Sequence, residues 1–125
     1  MRRIIFRGKR LDNGEFVYGL PYAMYACLHV DGIETWDGER HLIDPETLGQ
    51  FTGFFDKVGN EIFEGDVVLC FNTIRTVCYD EHYGEFEFSR YDKVENPDGL
   101  CLCCDYSECE VINNIYDYKG EKNER

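Results

Sequence analysis

Four cysteines crowd one stretch of the chain: Cys101, Cys103, Cys104 and Cys109. Cys101 and Cys104 have the spacing that lets two thiolates grip one zinc ion on a turn, with Cys109 as a third ligand. A structural zinc site wants a second such knuckle, and the sequence has none. The expectation is therefore a strand, with Cys101 and Cys103 on one face, and no metal or other cofactor. Cys27, Cys70 and Cys78 lie in apolar, strand-like text and read as small buried hydrophobes. Seven cysteines without an export signal read as thiols in a reducing, cytoplasmic setting rather than as staples.

Acid–base chemistry has little to work with. His29, His41 and His82 are isolated in sequence, and His41, with Glu39 and Asp44 nearby, is the best of the three. An enzyme reading would rest on a site near His41. There is no phosphate-binding glycine loop, nucleophile elbow or two-histidine metal helix. No catalytic residue is assigned.

Charge is the third resource. The chain has 125 residues and a formal net charge of −12. Arg2, Arg3, Arg7, Lys9 and Arg10 carry no acid among them, so the rest of the chain has a net charge of −17. A basic strip (Arg2, Arg3, Arg7, Arg10) on an acidic body can bind a partner or another copy of itself. With Phe6, Phe16 and Tyr18 as stacking platforms, the strip could also hold a single-stranded nucleic acid. The acidic body argues against that reading, because phosphate repels it. No apolar run approaches the roughly 20 residues of a membrane-spanning helix.

The elements that must position these residues are strands. Aromatic residues make up 15% of the chain, and short apolar runs are broken by turn dipeptides, while no long window follows the helical period. Arg3–Arg7 reads as the first strand. Asp12-Asn13-Gly14 turns it into Glu15–Leu20, because Asn and Gly accept the positive φ of a tight hairpin. Pro21 marks an edge or a strand end. Further strands are expected at Tyr25–Val30, Ile33–Trp36, Val67–Phe71, Ile74–Tyr79, Phe86–Ser89, Leu100–Asp105 and Glu110–Tyr116. Asp44-Pro45-Glu46-Thr47 has helix-start chemistry, and predicts a short helix near Pro45–Leu48. The expected class is mostly β: small antiparallel, barrel-like (SH3-like) sheets with one or two short helices. Ile4, Phe6, Val17, Ile62, Val68 and Phe88 are the expected core. One domain over 1–125 is expected, with two β subdomains at about 1–56 and 57–118 as the variant and 119–125 as a frayed tail.

The chain resembles the YopX family of phage and prophage proteins. The resemblance rests on Ile4–Arg10, Asn13–Gly19, Asp44–Gly53, Asp56–Val68 and Glu110–Tyr116. It implies a small, mostly β protein encoded by phages or integrated elements of bacteria, and it carries no catalytic residues. The family-motif residues here are Asp44, Pro45, Glu46, Thr47, Gly49, Gln50, Gly53, Glu64, Gly65 and Asp66. The glycines suit bends or positive φ, and Glu64 and Asp66 suit carboxylates that accept backbone N–H groups in a turn. The sequence reading is a non-enzymatic interaction module, with a host or phage macromolecule as partner and self-association into a homo-oligomer. A nucleic-acid-binding barrel is the alternative.

Overall fold

The computed structural model describes residues 3–24, 29–82, 84–90 and 106–118. Nine strands run in chain order: β1 Phe6–Arg10, β2 Phe16–Tyr22, β3 Gly32–Glu34, β4 Arg40–Phe55, β5 Glu61–Phe63, β6 Asp66–Cys70, β7 Thr73–Asp80, β8 Glu85–Arg90 and β9 Cys109–Asn114. A 3-10 turn at Tyr106–Glu108 precedes β9 and is the helical piece among the described residues. The mostly β expectation holds. The chain divides into two compact units, Met1–Phe51 and Thr52–Arg125.

The first unit closes on itself. β1 pairs with β2, β2 with β3, β3 with β4, and β4 returns to pair with β1, all antiparallel. Closure leaves no open edge in that ring. Val17, Ile33 and Ile43 fill it, with Phe6, Val30 and Leu48 packed against them. The β1–β2 hairpin forms at the expected turn: Arg10 N–H donates to Glu15 O at 2.9 Å, and Asn13 Oδ1 accepts the Glu15 N–H.

Three expectations for this unit are corrected. The first strand starts at Phe6, not Arg3, so Ile4 is 60% exposed and Ile5 is buried in its place. A one-residue slip exchanges the two faces of a strand. Pro45–Leu48 is not a helix. It lies within β4 as a bulge opposite Gly8 alone, since Arg7 pairs with Gly49 and Lys9 with Asp44. The capping chemistry is real, but it folds a turn: Asp44 Oδ1 accepts the Glu46 N–H at 3.1 Å, and Thr47 Oγ1 donates to Asp44 O at 2.6 Å. Lys9 N–H then donates to Thr47 Oγ1, and this bond, 38 residues long in sequence, selects the bulge over a helix. Finally, β3 runs over Gly32–Glu34 rather than Ile33–Trp36, and of the Tyr25–Val30 strand only His29 and Val30 are described, outside any strand.

In the second unit a four-stranded sheet runs in the order β8-β7-β6-β9. Ile62, Val68, Cys70, Val77, Phe88 and Cys109 form its core. Val17, Ile62, Val68 and Phe88 are buried as expected, and Phe6 is half-buried. Cys70 and Cys109 stand directly opposite in the β6–β9 register and form a disulfide. Their Cα separation of 4.4 Å is that of a non-hydrogen-bonded antiparallel pair. This corrects the all-thiol expectation, and it takes Cys109 out of any zinc site. Cys78 is a half-buried thiol. Cys27, Cys101, Cys103, Cys104, the strand expected at Leu100–Asp105 and the tail 119–125 lie outside the described residues.

Candidate interaction surface

Several of the family-motif residues brace the backbone. Asp66 is 1% exposed, and its carboxylate accepts the Phe63 N–H at 2.7 Å across the Glu64–Gly65 turn. Gly65, at φ 92°, lets that turn close, with its N–H on Val77 O and its carbonyl accepting from Ile115. Thr52 Oγ1 donates to Ile62 O at 2.7 Å and receives the Phe54 N–H, beside Gly53. Gly49 and Gln50 sit in β4 opposite Arg7 and Phe6.

Asp56 does the most. Its Oδ1 accepts N–H bonds from Val58 (3.0 Å) and Asn60 (2.8 Å), and its Oδ2 accepts from Asn60 Nδ2 (3.2 Å) and Val111 N (2.8 Å). Lys57 N–H donates to Cys109 O at 2.9 Å. The turn thus supplies the partners that a further strand would have given β9, and so blunts that edge. Burial alone would raise the Asp56 pKa, but the donated bonds outweigh it and hold the carboxyl below its ordinary value.

The basic strip does not form one face. Arg7 and Lys9 point to one side of β1, whereas Arg10 shares the other with Phe6, by the strand alternation. Arg10 forks onto Asp12, Nε to Oδ1 at 3.0 Å and Nη2 to Oδ2 at 2.7 Å. That bond raises the arginine pKa and lowers the aspartate's. Arg3 lies over the Phe51 ring at 5.7 Å, and Arg2 lies outside the described residues.

His41 borders an open hollow of about 220 Å³ with Arg10, Leu11, Asp12, Arg40 and Leu42. Its Nε2 is 3.4 Å from Glu39 Oε1, not beside Asp44. Arg10 pairs with Asp12 and Arg40 with Glu34, and no Ser, Thr, Cys or Lys is among the described residues that line the hollow.

What the first unit does assemble is an aromatic and cationic stripe on the outer face of β2. Alternation sends Val17 and Gly19 inward, and Phe16, Tyr18, Leu20 and Tyr22 outward. Tyr18 is 44% exposed and Leu20 43%. Cations stack on both ends of the stripe: Arg7 lies 4.3 Å and Lys9 5.3 Å from the Phe16 centroid, and Arg40 lies 4.7 Å from that of Tyr22. Tyr22 reaches its place because Gly32, its register partner on β3, has no side chain: a Cβ there would stand 2.6 Å from Tyr22 Oη. Phe16, Tyr18 and Arg7 were legible as a group in the sequence, whereas Leu20, Tyr22 and Arg40 were missed. The signal was the alternation 16-18-20-22, which Pro21 masked by reading as a strand end. Pro21 is tolerated because β1 pairs with β2 only as far as Gly19.

A family model described as YopX protein matches residues 6–119. The chain belongs to the YopX family. No curated protein matches it.

Proposed function

We propose that this YopX-family chain is a non-enzymatic phage or prophage accessory protein of the bacterial cytoplasm, binding a protein partner through the outer face of β2. The observation that carries the reading is the stripe itself. Tyr18 and Leu20, half-exposed, and the exposed Arg40 are set on a closed sheet, outside the core of their unit, with Arg7 buried beside Phe16. Aromatic side chains and arginine are the types that dominate binding energy at protein interfaces. Contiguous exposed apolar surface of this kind marks an interaction site. A protein partner is favoured over nucleic acid because Glu34 and Asp44 share the outer face with Arg7, Lys9 and Arg40, and leave little net positive charge for phosphates. The His41 hollow gives an enzyme reading no support beyond a lone imidazole.

The test is recovery of native complexes from a bacterial host carrying the tagged chain. The Tyr18→Ala plus Leu20→Ala variant should melt like the wild type and lose the complexes, while Val58→Ala, at an exposed position in the Asp56–Asn60 turn, should keep them. Equal recovery with the stripe variant would refute the reading.

A further inference from the structure

The Cys70–Cys109 disulfide sits at the end of a ladder that is also held without it. Cys70 is the last residue of β6, and Cys109 is the first of β9. As expected of a non-hydrogen-bonded pair, the Cys109 carbonyl turns away from β6 and accepts the Lys57 N–H. Inward from the pair, Leu69–Glu110, Val68–Val111, Val67–Asn113 and Asp66–Asn114 continue the register. On the other side of β9, Asp56 Oδ2 holds the Val111 N–H. Cutting the S–S bond therefore leaves β9 in place from Glu110 onward. What it releases is the seam before that point, Tyr106–Cys109.

That seam is thinly held. No residue of the Tyr106–Glu108 turn is buried. Tyr106 packs against the core cluster that contains both cysteines, with its ring centroid 4.7 Å from that of Phe54. A segment with so few buried contacts opens more readily than the sheet behind it. Cys70 and Cys109 are both 0% exposed, so an attacking thiolate reaches their sulfurs through such an opening.

We propose that Cys70–Cys109 is a reversible redox switch, thrown by a low-molecular-weight thiol–disulfide couple, that ties the Tyr106–Cys109 seam to β6 when oxidised and releases it when reduced. The switch rests on the cytoplasmic setting proposed above, where a disulfide is more often a sensor than a staple, and not on the β2 stripe. In reduction a thiolate attacks one of the two sulfurs, the S–S bond breaks, and the other sulfur leaves as a thiolate that takes a proton. A second thiol then displaces the protein from the mixed disulfide. Two electrons and two protons have entered the protein, and the couple departs as its disulfide. Oxidation runs the same exchange backwards.

Two measurements test it. The chain is sampled in bacterial cells before a pulse of the thiol oxidant diamide, after the pulse and after recovery. Free thiols are blocked with a light alkylating reagent, those released by reduction are marked with a heavy one, and Cys70 and Cys109 are read by mass spectrometry. Both should be thiols, then joined, then thiols again. A pair joined in all three samples is a fixed staple, and a pair of thiols in all three has no oxidised state to switch to; either overturns the proposal. In the purified chain, amide exchange at Lys57, whose N–H ends on Cys109, should be at least about tenfold faster after reduction with a phosphine, with the β-sheet circular dichroism unchanged. Equal exchange at Lys57 in both forms, or loss of the sheet signal on reduction, also overturns it. None of these outcomes touches the recovery of complexes from the host, which judges the stripe as a contact surface independently.

Discussion

Replacing Asp56 with Asn tests whether the family motif is structural, because the change preserves shape and removes charge and one acceptor. The carboxylate accepts bonds through both oxygens, two from Val58 and Asn60 N–H groups on Oδ1 and two from Asn60 Nδ2 and Val111 N–H on Oδ2. An amide offers one oxygen and one NH2, so in either orientation two donors face a donor. Each hydrogen bond to a charged group contributes about 1.5–3 kcal/mol, and the cheaper desolvation of a neutral amide returns part of the loss. The net cost is about 2–4 kcal/mol, on the order of 10 °C or more in melting temperature for a unit of this size. The pH dependence follows from the lowered Asp56 pKa. The carboxylate's contribution is full above the unfolded pKa of about 3.9, and is lost as pH falls through the depressed folded value. Wild type and variant should therefore differ most near neutrality and converge in acid. Urea titrations at several pH values, with amide exchange at Val111, would check this. A variant whose midpoint matches the wild type at neutral pH would refute the assignment of Asp56 as the staple of β9.

Other outcomes follow from the same structure. Thr47→Val keeps the volume but removes the acceptor for Lys9 N–H and the bond to Asp44 O, and should cost about 1–3 kcal/mol in a urea titration. Reducing the Cys70–Cys109 disulfide opens a sequence separation of 39 and should lower stability by about 4 kcal/mol on the chain-entropy estimate, read as a shift in midpoint with and without a phosphine reductant. Phe71 and Asn72 hold φ of 52° and 63° at the β6–β7 hairpin, and Phe71 is 56% exposed. Phe71→Asn with Asn72→Gly suits that turn better and should raise the melting temperature by several degrees, about 1 kcal/mol.

Local chemistry was legible in the sequence and long-range selection was not. The Asp12–Gly14 hairpin is encoded within its own residues, and it formed. Asp44-Pro45-Glu46-Thr47 encodes an acceptor for a nearby N–H, which serves a helix start and a bulge equally. Thr47 meeting Lys9 across the ring decides between them. Ile4 and Ile5 differ only in register, which the pairing of Phe6 with Gly19 and Gln50 fixes from outside the segment. The odd cysteine count spoke for thiols, yet two strands far apart in sequence set Cys70 against Cys109. The stripe was half legible: the aromatics of β2 alternate in plain view, but Arg40 reaches Tyr22 only because β3 places them on the same face.

The account separates two sets of residues, a motif that holds the backbone and a stripe that meets the partner. Photo-cross-linking inside bacterial cells tests that separation most directly, with a benzophenone side chain placed in turn at Leu20 on the stripe, at Glu46 on the exposed motif bulge and at Val58 in the Asp56–Asn60 turn. The account predicts a discrete protein adduct from position 20, and none from 46 or 58. An adduct from position 46 with nothing from position 20 would contradict it, and would make the motif the working surface.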